Sequence, residues 1–215
     1  MNGEPRPDSE EARRRYRQLA GRYDRRLGLL VPLRRRIIAK LGLGPGDHVL
    51  DMGCGTGASF PALRAAVGAD GRVTGVDLSE EMAAVARQRV ADAGWDNVEV
   101  LVGDATAVAL PADVDGILFF LTHDLTRIPA VVERAVAAGR AGATIVAFGP
   151  VRARGWAAAP VNVIVRAIAR SYVTTFEGYD EPWSHIGALV PELKVRRLLG
   201  GGTYLAVGHT RQASE

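Results

Sequence analysis

Asp51, Asp77 and Asp104 each stand at the end of a short apolar run, and around the first of them the chain reads Val49-Leu50-Asp51-Met52-Gly53-Cys54-Gly55-Thr56-Gly57. An apolar run that ends in alternating glycines lets a ligand approach backbone where any side chain would collide. In an open parallel sheet such a loop and three acids would lie together beyond the carboxyl ends of the strands, where ligands bind. Asp77 suits a ribose, whose two hydroxyl donors one carboxylate accepts. Asp104, in Gly103-Asp104-Ala105, suits an exocyclic adenine amine. Gly53-x-Gly55-x-x-Ala58 also fits the loose dinucleotide fingerprint, so the glycines alone leave NAD open. Asp51 separates the two possibilities. A carboxylate just before the loop repels a pyrophosphate and favours a ligand whose nearest part is cationic. Taken singly, Asp77 or Asp104 is equally at home as a helix cap or turn acid.

The elements that must hold these residues alternate. Strands are expected at 48–52, 72–77, 98–102, 114–121 and 143–149, and helices at 58–67, 79–93 and 128–138. Ser79 is a cap with Glu80 and Glu81 in the first turn, and Pro61 and Pro129 sit near helix starts, where proline is tolerated. Such alternation predicts an α/β fold: a doubly wound, Rossmann-like, mainly parallel seven-stranded sheet. The tail departs from it. Residues 193–199 and 203–209 read as strands separated only by Gly200, Gly201 and Gly202, which forces an antiparallel hairpin. Ahead of the sheet, residues 1–8 read as a polar leader, one helix is expected from Ser9 to about Leu27, and another covers 33–41 after Gly28 and Pro32 punctuate the run. The expected division is 1–44, leader and cap helices, and 45–215, one nucleotide-binding domain with a helical, irregular insertion at 151–191.

Composition narrows the classes. The chain has 215 residues, 47% of them hydrophobic and 24% charged, as in ordinary globular proteins. Its single cysteine, Cys54, excludes an intramolecular disulfide and a thiolate metal cluster, so no metal site is expected. The first twenty residues hold no apolar core of the signal-peptide kind, and the expectation is a cytoplasmic protein. The net charge of +3 is uneven: residues 1–40 carry twelve Arg or Lys against five acids, a local +7. That segment is either the solvated face of amphipathic helices or a surface attracted to anionic partners.

Three motifs together, Val49–Gly57, Gly75-Val76-Asp77-Leu78-Ser79 and Gly103-Asp104-Ala105, resemble the class I S-adenosylmethionine-dependent methyltransferases, and the final hairpin matches by topology. The likeness covers about residues 45–150. It leans to the small-molecule branch that includes quinone and lipid-amine methyltransferases, where a Tyr-Asp pair ends an N-terminal helix; Tyr23-Asp24 matches it. The resemblance implies S-adenosylmethionine as cofactor and S-adenosylhomocysteine as its product. It implies that Asp51 and Gly53 hold the methionine end and that Gly55 and Gly57 admit the ligand to the backbone. Asp77 would bind the ribose, Leu78 and Met82 would border the adenosine, Asp104 and Ala105 would meet the adenine, and Tyr23 would close over the methionine end.

The acceptor side is read from the segment after the fourth strand. In Phe119-Phe120-Leu121-Thr122-His123-Asp124, His123 is the candidate general base with Asp124 orienting it, the alternatives being a polar surface residue and a helix-capping acid. No Asn/Asp-Pro-Pro-aromatic segment stands here, which speaks against methylation of nucleic-acid bases. Phe120, Trp156, Tyr172, Trp183 and His185 are the candidate substrate contacts, in an aromatic-rich stretch that serves either as a lid for an apolar or aromatic molecule or as ordinary packing. The expected partner is a small molecule rather than nucleic acid, with peripheral membrane contact through the basic N-terminal helices. The alternatives kept open are an NAD-dependent oxidoreductase and a non-methylating protein on the same fold.

Overall fold

The computed structural model describes residues 30–155, 158–169 and 179–211. The expected leader and first helix, with Tyr23, lie outside the described residues, as do Trp156 and Tyr172. The elements in chain order are α1 (Val31–Ile38), β1 (His48–Met52), α2 (Phe60–Val67), β2 (Arg72–Asp77), α3 (Glu80–Asp92), β3 (Val98–Val102), β4 (Val114–Phe120), α4 (His123–Thr126), α5 (Pro129–Ala138), β5 (Gly139–Pro150), α6 (Ala158–Ala169), α7 (Ser184–Leu189), β6 (Lys194–Leu198) and β7 (Thr203–His209).

The seven strands form one sheet in the order β3-β2-β1-β4-β5-β7-β6. β1 pairs in parallel with both β2 and β4, whereas β7 runs antiparallel to β5 and β6. The chain therefore leaves β1 in one direction and returns to its other side with β4, which opens a crevice between them. Register aligns the strand ends there: Asp51 lies opposite Gly75 and Leu118, and Asp77 opposite Val102. Both faces of the sheet are covered. Val49, Phe60, Leu63 and Phe148 are buried on one side, and Leu50, Met52, Ile117 and Tyr204 on the other.

The departures from expectation are local. Pro32 lies within the first turn of α1 instead of ending a run before it, because a helix start has no use for the missing N–H. β5 begins at Gly139, where it pairs with Val114 before a register shift, so α5 passes directly into the strand. α4 is a single helical turn, too short to show a period in sequence.

α2 is drawn tightly onto the sheet by Phe60. A Cβ on Gly57 would meet its ring at 2.6 Å, and one on Gly75 would do the same. The glycine loop above is fastened from beneath, with Gly53 N and Cys54 N donating to Val76 O at 2.8 and 2.9 Å.

Candidate active site

The three glycines of the loop all have positive φ, at 73°, 55° and 71°, but they serve different purposes. The space a Cβ would take at Gly53 holds the Thr122 methyl, 2.5 Å away, and at Gly57 it holds Phe60. At Gly55 nothing lies within 4 Å. Gly55 is thus the glycine with open space above it. At Gly57 the missing side chain makes room for the Phe60 ring.

Asp51 is 1% exposed, and its Oδ2 is buried without a hydrogen-bond partner among the described residues. Burial pushes its pKa up to about 7, Arg34 draws it down and Asp77 raises it. Arg34 is itself buried. Its Nη1 donates to Ser59 Oγ at 2.8 Å, and its guanidinium carbon lies 4.2 Å from the centre of the Phe120 ring. The sequence reading counts this residue only as one of the twelve cations of residues 1–40. The signal was present: Arg34, Ile37, Ile38 and Leu41 share one helical face, and all four are buried.

Asp77 binds the loop to the end of β2. Its Oδ2 accepts from Gly55 N at 2.8 Å and its Oδ1 from Ser79 N at 2.9 Å. Burial raises its pKa, while the Ser79, Gly55 and Leu78 amides oppose that rise. A carboxylate has about four acceptor sites, so these bonds leave capacity for a ligand hydroxyl. Ser79 caps α3 as expected, accepting from Met82 N at 3.3 Å. Met82 is fully buried below the loop and Leu78 half-buried at its edge.

Asp104 is exposed, and its Oδ1 accepts from Thr106 N and Thr106 Oγ1, both at 2.8 Å. The next carbonyl, of the buried Ala105, accepts from Arg134 Nε at 3.1 Å, and Arg134 Nη2 also donates to Val108 O. Arg134, on α5, thereby pins the loop that carries Asp104. No spacing in the sequence pointed to it, because its partners are carbonyl oxygens rather than side chains.

A family model for a methyltransferase domain matches residues 49–142. Nocamycin O-methyltransferase of Saccharothrix syringae is 34% identical over 166 residues, covering 72% of this chain and 58% of the relative. Demethylmenaquinone methyltransferase of Staphylococcus aureus is 35% identical over 104 residues, covering 46% of this chain and 42% of the relative. A crystal structure of a SAM dependent methyltransferase from Aquifex aeolicus superposes with a TM-score of 0.65 at 23% identity, over 94% of this chain and 98% of that one. Residues 49–142 belong to the methyltransferase-domain family, and the chain shares the fold of an S-adenosylmethionine-dependent methyltransferase. It spans about half the length of the curated relatives it matches.

The donor side of the site fits S-adenosylmethionine, the cofactor of such proteins. Asp51 offers a buried, unpartnered carboxylate oxygen, Gly55 offers open space, and Asp77 retains acceptor capacity. His123 is 2% exposed, not a surface residue, and its ring packs against Tyr179 with centroids 4.6 Å apart. Asp124 is half-buried in the same turn. Thr126 Oγ1 donates to His123 O at 2.9 Å, and the buried Tyr204 hydroxyl is bonded in turn to Thr126. Trp183 packs on Tyr204, with ring centroids 5.1 Å apart. Phe120 is buried between Phe148 and Arg34. His185 is half-buried on α7.

Proposed function

We propose that this protein transfers the methyl group of S-adenosylmethionine to an oxygen, nitrogen or carbon of a small, apolar or aromatic molecule. The observation that carries the reading is the buried Asp51 carboxylate beside the open face of Gly55. Such an arrangement favours a cationic ligand end and disfavours a pyrophosphate. When bound, the cofactor supplies a methyl group on a positively charged sulfur, open to in-line displacement.

In this reading the residues divide the work. Asp51 and Gly53 hold the methionine end, with Tyr23 closing over it, and the buried Arg34 guanidinium balances the methionine carboxylate. Asp77 accepts from the ribose, Leu78 and Met82 border the adenosine, and Asp104 and Ala105 meet the adenine. His123 removes the acceptor's proton where the acceptor is an oxygen or a protonated nitrogen. Its burial against Tyr179 supports a desolvated base. Phe120, Trp156, Tyr172, Trp183 and His185 are proposed as acceptor contacts, and 151–191 as the segment that selects the acceptor. The names of the similar proteins, one a nocamycin O-methyltransferase and the other a demethylmenaquinone methyltransferase, support a small-molecule acceptor.

No helix among the described residues is long and apolar enough to cross a membrane. We propose a cytoplasmic enzyme whose basic N-terminal segment, 1–44, makes peripheral membrane contact. A screen for labelled-methyl transfer over extracted metabolites tests the activity, and calorimetry with S-adenosylhomocysteine and NADH tests the donor. Tight NADH binding without S-adenosylhomocysteine binding would overturn the proposal.

A further inference from the structure

We infer that the Thr122 hydroxyl is a second anchor for the cofactor's α-ammonium group, shared with Asp51. This rests on the reading of the site as one for S-adenosylmethionine.

Two buried oxygens near Gly53 in the chain or in space have no hydrogen-bond partners among the described residues: Asp51 Oδ2, two residues before it, and Thr122 Oγ1, whose side chain folds over it from the end of β4. Leaving a buried polar atom unpaired costs about 1–3 kcal/mol, so two around one glycine mark a place completed by a ligand. The Thr122 side chain is not loosely placed. Its methyl occupies the Cβ space of Gly53, 2.5 Å from where that atom would stand. The preceding residue, Leu121, has φ of 60° and is held there by its N–H donating to Phe148 O at 2.7 Å. Thr122 O accepts from Leu125 N and Thr126 N at 3.1 and 3.2 Å. Positive φ at a leucine is a strained conformation, retained where the surroundings over-determine it. Here it turns the chain so that Thr122 covers Gly53.

The ligand chemistry follows from the donors required. One carboxylate oxygen and one hydroxyl ask for a cation carrying more than one N–H, and an ammonium has three. A sulfonium has none. The amino group of the methionine end is therefore the part that both oxygens would share.

The test compares Thr122→Val, which keeps the shape over Gly53 and removes the hydroxyl, with Thr122→Ser, which keeps the hydroxyl. Affinities are measured by calorimetry at pH 8 for S-adenosylhomocysteine, for its analogue lacking the α-amino group, and for 5′-methylthioadenosine, which lacks the whole amino-acid end. Thr122→Val should bind S-adenosylhomocysteine about 10- to 150-fold more weakly, the size of one hydrogen bond to a charged group. It should bind the other two ligands within about twofold of wild type, and Thr122→Ser should recover most of the loss. Equal weakening of all three ligands, or unchanged S-adenosylhomocysteine affinity in Thr122→Val, would overturn the assignment. Thr122→Ala carries the same comparison if the valine variant does not fold. Failure of the wild-type protein to bind S-adenosylhomocysteine overturns the underlying site reading instead, so the two failures are distinct.

Discussion

Among single residues, Asp51 is under the greatest tension between stability and function. A pKa of about 7 means that the free protein holds a proton there which an unfolded aspartate, titrating near 3.9, would release. Between those values the folded state binds more protons than the unfolded one, so the Asp51 contribution to stability falls as pH rises and is lost above about pH 7. Asp51→Asn should therefore stabilise the free protein at pH 8, by about 1–3 kcal/mol once the lost attraction to Arg34 is discounted, while weakening S-adenosylhomocysteine at least tenfold. Chemical denaturation and calorimetry on one preparation check both signs. A destabilised variant with intact affinity would remove Asp51 from the proposed site. In the wild type, affinity should rise with pH through about 7 and be about tenfold weaker at pH 6 than on the plateau, since binding a cation requires the ionised carboxylate. His123 has a separate test. His123→Gln should lose about a hundredfold or more in turnover with a hydroxyl acceptor while binding S-adenosylhomocysteine like wild type; near-normal turnover would dismiss it as the base. The placement of Asp51 and Asp77 at neighbouring strand ends was legible from the apolar runs that precede them. Thr122 was not, because its position over Gly53 depends on the positive φ of Leu121, which no side-chain pattern announces.

The strands and longer helices were legible from apolar runs, caps and proline positions. What escaped were features made by contact between elements. α4 is one turn long, and the Arg134 clamp joins α5 to the loop after β3 through carbonyl oxygens. The glycine loop shows the same limit, since its three glycines look alike in sequence and differ only in what packs against them. Substitution by alanine separates them. Gly55→Ala meets no neighbour, so its stability loss should be the left-handed backbone penalty of about 1–2 kcal/mol, whereas its methyl enters the ligand's space and should weaken S-adenosylhomocysteine more than tenfold. Gly57→Ala meets the Phe60 ring at 2.6 Å and should lose about 2–4 kcal/mol, overpacking being added to the backbone term. Urea denaturation ranks the two variants. A Gly55→Ala protein less stable than Gly57→Ala would show that the loop, and not the α2 contact, is the tighter part.

At the scale of the whole molecule, the charge asymmetry has to be reconciled with the site. Among its described residues the basic N-terminal segment sends one arginine inward: Arg34 is buried over Phe120, whereas Arg35, Arg36 and Lys40 on the same stretch are exposed. In the proposed reading, one short helix thus faces the methionine end with one side and solvent with the other. This division makes the membrane proposal separable from catalysis. Reversing the outer charges, Arg35→Glu with Arg36→Glu and Lys40→Glu, should weaken binding to vesicles rich in anionic lipid, by about 1 kcal/mol for each cation near the surface. It should leave S-adenosylhomocysteine affinity unchanged, because none of the three is placed in the site. Raised salt should mimic the reversal, since exposed charges are screened beyond about 10 Å at 0.1 M. Arg34→Leu should do the opposite, weakening S-adenosylhomocysteine and sparing vesicle binding. Vesicle association that is absent, or indifferent to salt and to charge reversal, would leave the basic face as a solvated surface. The segment's proposed contribution would then be to the cofactor site, through Arg34 and Tyr23.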